Sequence, residues 1–250
     1  MQITINKIRP KRGLAHAFHL LLTFLLPLLV YVMVATNIAW AGLLLILLSK
    51  WRMLAVKPRH WPANVRANAI DLIVGVSILV FMTQSGSHLW QLLWVVVYGV
   101  WLLVLKPGSG VLRVSLQALV GEMFGLTALF LRFGAANTTL LVFASWGATY
   151  LVARHYFASF DEPQTRFFSY LWGYFSGALV WLLSHYLLSR GPFFQPVLLI
   201  NVIGFCLGTL YYLQETDKLS NLYQRQIVFI ALALVVILVT FPFLFWDKAF

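Results

Sequence analysis

Apolar residues run through this chain in long stretches, parted by short segments rich in basic residues, glycine and proline. Stretches of about 17–25 residues match what a helix needs to cross the hydrocarbon core of a bilayer. They predict an all-α polytopic membrane bundle of nine spans, at about 14–35, 38–55, 66–84, 88–105, 111–132, 137–153, 166–189, 193–213 and 225–246. The second is the least regular. Its uninterrupted apolar part is only Ile38 to Leu48, so Lys50 and Arg52 must snorkel to the interface.

Composition makes lipid the main solvent. The chain is 61% hydrophobic and 10% charged, with a mean hydropathy of +0.85. A soluble domain carries roughly a quarter charged residues. Residues 1–250 therefore read as one transmembrane domain with no room for a soluble one.

Charge sets the orientation. With the N-terminus cytoplasmic, the inner segments hold 15 of the 18 basic residues and the outer segments only Arg132, Arg190 and Lys248. That bias is what the positive-inside rule requires of a protein in a plasma or bacterial inner membrane. Removing the second span would place five of the charges outside. The net charge of +11 is thus read as topology and headgroup contact, not nucleic-acid binding. The segment KWRMLAVKPRHWPANVR mixes basic and aromatic residues, and Pro58 and Pro62 prevent one continuous helix. It fits an ordinary inside loop, or a segment lying on anionic lipid through Lys50, Arg52, Lys57 and Arg59. The basic N-terminus precedes an apolar run too long for a signal peptide, so it reads as an uncleaved first span.

Two span pairs resemble each other. Trp90, Trp94 and Trp101 of span four align with Tyr170, Tyr174 and Trp181 of span seven. Val114, Leu116, Gly121 and Gly125 of span five align with Val197, Leu199, Gly204 and Gly208 of span eight. Spans 4–6 and 7–9 would then form an inverted repeat, as in many secondary transporters. The alternative is chance recurrence of residues common in apolar helices.

The pairs Gly121–Gly125, Gly173–Gly177 and Gly204–Gly208 have small-xxx-small spacing. In lipid this spacing serves close helix packing, because apolar burial between helices gains little. The other use is a substrate path lined by small residues.

Glu122 is the one acid expected at mid-membrane, on the small-residue face of span five. A charged carboxylate there costs about 2.5 kcal/mol or more. It must be neutral, paired or wet. Asn201, Ser176, Tyr174 and His185 are its candidate partners. Functionally it would be a proton or cation site; structurally, a protonated and hydrogen-bonded glutamate. Asn64, Asn68, Asp71 and Gly75 form a polar stripe at the inner end of span three. The stripe fits the mouth of a polar pathway. It also fits an interfacial helix start with Asp71 paired to Arg66, Arg113 or Arg154. Asp161 and Glu162 read as a turn opposing Arg154 and Arg166.

No metal ligand set, cofactor motif, phosphate loop or nucleophile motif occurs. Three function classes follow. The first is a transporter- or permease-like protein with a polar site formed by Glu122 and Asn201, with Asp71 and Asn68 on its path. The second is a non-catalytic scaffold that assembles with itself or another membrane protein. The third is a membrane enzyme acting on lipid, which would need a second catalytic group beside Glu122 or Asp71.

Overall fold

The computed structural model describes residues 13–107, 110–134, 137–160, 162–185 and 195–245. Every regular element among them is helical: α1 (Leu14–Ala35), α2 (Ala39–Leu48), α3 (Trp61–Ala67), α4 (Ala69–Gln84), α5 (His88–Val100), α6 (Val111–Phe133), α7 (Thr138–Phe157), α8 (Thr165–His185), α9 (Gln195–Glu215) and α10 (Asn221–Phe245). A π-turn, Trp101–Leu105, extends α5.

Among the described residues, five helices are long and apolar enough to cross a membrane: α5 with its π-turn, α6, α8, α9 and α10. A sixth crossing is made if α3 and α4, bent by 62° against each other, count as one. Nine crossings are not confirmed: among the described residues α1 counts only as the shorter apolar helix Leu20–Ala35, and the second, third and sixth predicted spans differ for local reasons. The second predicted span is α-helical for only 10 residues. That is about 15 Å of rise, half the hydrocarbon core. The chain then turns through two short 3-10 segments, Trp51–Met53 and Pro58–His60. The third predicted span starts at Ala69, because the helix breaks at Asn68, whose Nδ2 donates to the carbonyl of Asn64 at 2.9 Å. The stripe of Asn64, Asn68, Asp71 and Gly75 is therefore split between two helices. α7 has 20 residues, but Thr138, Ser145, Thr149, Arg154 and His155 make it more polar than the five. The capping is conventional: Asn137 Oδ1 accepts the N–H of Thr139 at 2.8 Å and starts α7.

Packing divides the helices into two groups. α1, α2, α4 and α5 pack on one another, and α6, α7, α8 and α9 form a four-helix group, with α4 against α6 as the main seam. α10 packs chiefly on α9. The glycine pairs sit where helices approach. A Cβ at Gly125 would lie 2.7 Å from Ile73 of α4, and one at Gly173 would lie 3.0 Å from the carbonyl oxygen of Trp146 in α7. One at Gly204 would overlap the indole of Trp172 in α8. The two helices aligned by the sequence repeat differ in setting: Trp101 is buried, whereas its counterpart Trp181 is exposed.

The contact between Gly204 and Trp172 gives a direct test. Gly204→Ala must displace an indole held on several sides, an overpacking cost of about 1–3 kcal/mol. Thermal unfolding in mild detergent should show a lower midpoint for Gly204→Ala, and little change for Gly147→Ala, where a Cβ meets nothing within 4 Å.

Candidate functional site

Glu122 lies halfway along α6 and is 1% exposed. Its Oε1 accepts the indole N–H of Trp172 at 3.2 Å. The hydroxyl of Thr149 flanks the same carboxyl and also bonds Ser176 Oγ at 3.0 Å. Glu122 Oε2 has no hydrogen-bond partner among the described residues, and neither do Ser145 Oγ and Asn201 Oδ1. All three belong to side chains at most 4% exposed. Asn201 uses only its Nδ2, which bonds back to the carbonyl of Val197 at 2.8 Å.

The four-helix group explains this cluster by layers. Residues four apart on a helix lie one above the other. One turn from Glu122, Ser145, Ser176 and Asn201, on the side away from the α6 N-terminus, stand Leu126, Leu141, Val180 and Val197. These four are members of one buried apolar cluster with Phe130 and Ile200. One turn to the other side stand Ala118, Thr149, Trp172 and Phe205. Of these, Ala118 and Trp172 belong to the larger core cluster and Phe205 packs against it. The Glu122 carboxyl bonds Trp172 and lies beside Thr149, which bonds Ser176, so Ser145 lies one turn nearer the apolar cluster. Orphaned buried polar atoms are rare in native proteins because each costs about 1–3 kcal/mol. Three such atoms occur here, one each on α6, α7 and α9.

A second polar cluster lies at the basic end, where α2 and α5 finish and α6 begins. Asp71 Oδ2 accepts both Lys50 Nζ at 2.7 Å and Lys106 Nζ at 2.6 Å, and Asp71 Oδ1 accepts the Trp101 indole N–H at 3.0 Å. The π-turn arranges this. Lys106 N–H bonds the carbonyl of Trp101 at 2.9 Å, five residues back, which brings both side chains onto Asp71. Gln117 Nε2 reaches the carbonyl of Leu105 at 2.6 Å, and Gln117 Oε1 bonds His155 Nε2 at 3.0 Å. Asp71 therefore pairs with lysines of α2's end and α5's end, not with Arg66, Arg113 or Arg154. The carboxyl joins three helices, while those arginines lie elsewhere. Glu162 likewise takes the N–H of Gln164 at 2.9 Å and the hydroxyl of Tyr211 at 2.7 Å rather than an arginine. Asp161 lies outside the described residues.

The predicted site residues thus fall apart into separate places. Glu122 and Asn201 share the polar layer. Asp71 belongs to the basic-end cluster, and Asn68 serves the helix break. Among the expected partners of Glu122, Ser176 is in the layer, Tyr174 is exposed, and the side chain of His185 lies outside those described. Trp172, Thr149 and Ser145 were not predicted. The one signal for Trp172 is that Gly204 and Gly208 leave a hollow on α9 that a large side chain must fill. A cleft of about 440 Å³ lies between α6, α9 and α10, lined by Leu119, Met123, Asn201, Phe205, Cys206 and Ile230 among others. No known protein family, curated protein or solved structure matches this chain.

The basic-end cluster predicts an order of damage. The Lys50 and Asp71 side chains are 9% and 10% exposed, and that of Lys106 is 37% exposed. Asp71→Asn leaves two cations facing each other, one of them buried, and should cost about 3–5 kcal/mol. Lys106→Ala removes a partly exposed partner and should cost no more than about 1 kcal/mol. Chemical denaturation in detergent measures both; an equal loss would contradict the assignment.

Proposed function

We propose that the protein is a transporter- or permease-like integral membrane protein whose ion site is the layer around Glu122. In this reading the chain crosses the membrane nine times, the basic end faces the cytoplasm, and the shorter helices complete crossings inside the bundle. The reading does not require the inverted repeat. The observation that carries it is an acid, 1% exposed, whose Oε2 has no hydrogen-bond partner among the described residues. An ionisable group inside a membrane is expensive, and such groups mark ion or substrate pathways. Lys57 and Arg59, both exposed beside Trp51 and Trp61, would meet anionic headgroups. Lys50 turns inward to Asp71 instead.

A second reading, a non-catalytic scaffold or assembly partner, is favoured by α10. None of residues Asn221–Thr240 is buried. Phe229, Ile230, Leu232 and Val236 are left to lipid, a second copy or another membrane protein.

Thiol accessibility separates the two. Cys206 lines the cleft beside the site, so it is first replaced by serine. Glu122→Cys is then exposed to a membrane-impermeant thiol reagent from each side, with Ser87→Cys and Asp217→Cys as exposed controls. Transport predicts labelling at 122 from at least one side, because water must reach the site during the cycle. A folded protein whose controls react while 122 does not would contradict transport and leave the scaffold.

A further inference from the structure

We infer that the ion of this site is a proton, held by the Glu122 carboxyl and steadied by the hydroxyl pair Thr149–Ser176. The inference rests on the reading of Glu122 as an ion site and names its ion. Among the described residues only two polar groups reach the carboxyl: the Trp172 indole N–H, 3.2 Å from Oε1, and the Thr149 hydroxyl. Oε2 has no hydrogen-bond partner among them. An ionised carboxylate offers about four acceptor sites, whereas the neutral acid turns one oxygen into a donor. A buried charge must be paired or richly hydrogen-bonded. A proton on the carboxyl removes the charge, and with it the call for donors that this setting does not supply.

The hydroxyl pair suits both states of the acid. Thr149 Oγ1 donates to Ser176 Oγ at 3.0 Å. A threonine hydroxyl has a single hydrogen. While that hydrogen is spent on Ser176, Thr149 meets the carboxyl with its oxygen, which accepts the O–H of the neutral acid. When the proton leaves, the Thr149 hydrogen turns to the carboxylate and Ser176 donates to Thr149 in its place. Uptake adds one proton to one carboxylate oxygen and release removes it; no other covalent bond changes.

The surroundings disfavour a larger ion. A hard metal cation gathers about six or more oxygens. Here the carboxyl adjoins one hydroxyl, while Asn201 ties its amide back to Val197. On α4, Ile70 and Ile73 pack on Gly121 and Gly125, beside Glu122. No charged side chain among the described residues acts on the carboxyl. On the helices packed around it, Asp71 of α4 is held by Lys50 and Lys106, and His155 of α7 by Gln117. Tyr156 of α7 lies against the rings of Phe157 and Trp172, and Tyr211 of α9 bonds Glu162. Tyr174 of α8 is exposed, and Cys206 of α9 lines the cleft toward α10. With no cation at hand, a proton is the charge balance that needs only one oxygen.

The test is infrared difference spectroscopy of the purified full-length protein in detergent, titrated from acid to alkaline pH in choline, sodium and potassium buffers. Wild type should show a protonated-carboxyl band that gives way to carboxylate as the pH rises, alike in all three. Glu122→Gln should lose that band. Glu162→Gln, which changes the buried acid between α7 and α8, should keep it. Thr149→Val should keep the band at a shifted position, because the acid loses the hydroxyl it bonds; an unshifted band overturns the role given to the hydroxyl pair. If Glu122→Gln fails to fold, a shift in Thr149→Val against none in Cys206→Ser carries the same decision. If the Glu122 carboxyl is ionised at every pH, or sodium or potassium displaces its proton, the proton is overturned and the ion site stands. A Glu122 carboxyl band that titrates in none of the buffers overturns both and leaves a structural acid.

Discussion

The contact between the Trp172 indole, the bare backbone of Gly204 and the Glu122 carboxyl is the one on which the four-helix group depends. Trp172 fills the hollow that Gly204 leaves on α9, and its N–H is then spent on Glu122 of α6. Three helices are fixed by one side chain. Apolar contact alone could not do this in lipid, where helices gain little from touching each other rather than acyl chains. Close approach and a directed hydrogen bond give the register that apolar burial does not. Tyr156 and Phe205 surround the same indole edge-on at 5.9 and 5.3 Å, so α7 is drawn into the contact as well.

With that register set, the rest of the polar layer follows. α6 and α8 run one way and α7 and α9 the other, so residues one turn apart on each helix stack into common layers. Glu122, Thr149 and Ser176 then meet, with the apolar cluster of Leu126, Leu141, Val180 and Val197 beyond them. The basic end is tied independently. There the π-turn trades one regular hydrogen bond for the convergence of Trp101 and Lys106 on Asp71, and Gln117 takes up the carbonyl of Leu105 at the helix end. Both oxygens of Asp71 are thus paired, while Glu122 Oε2, Ser145 Oγ and Asn201 Oδ1 are not. This contrast, more than the presence of an acid, is what the proposed function rests on.

The apolar runs made the helical, membrane-type composition legible, and the single mid-span acid made Glu122 stand out. Both follow from one-dimensional pattern. What the pattern could not carry was anything that depends on which helices meet. The sequence runs span two on to residue 55, yet the α-helix ends at Leu48 and Lys50 turns to Asp71. Span three looked continuous because Asn68 is compatible with a helix, yet its amide bonds Asn64 and the axis bends there. The partners of Asp71 were sought among arginines near in the topology and proved to be lysines 21 and 35 positions away, brought in by a π-turn that no propensity announces. Ser145 and Thr149 carry no signal in the sequence, since a serine and a threonine in an apolar helix more often bond back to their own carbonyls.

The central claim is that the Glu122 layer is kept for function at a cost in stability. Thermal unfolding of Glu122→Gln in a choline-based detergent buffer tests it most directly. Glutamine keeps an acceptor for the Trp172 indole, removes the ionisable group and adds an amide donor for the unpartnered oxygens around it. The account predicts a midpoint at or above that of the wild type, as substitutions at strained functional sites often give. A midpoint several degrees lower would contradict it and make Glu122 a structural acid.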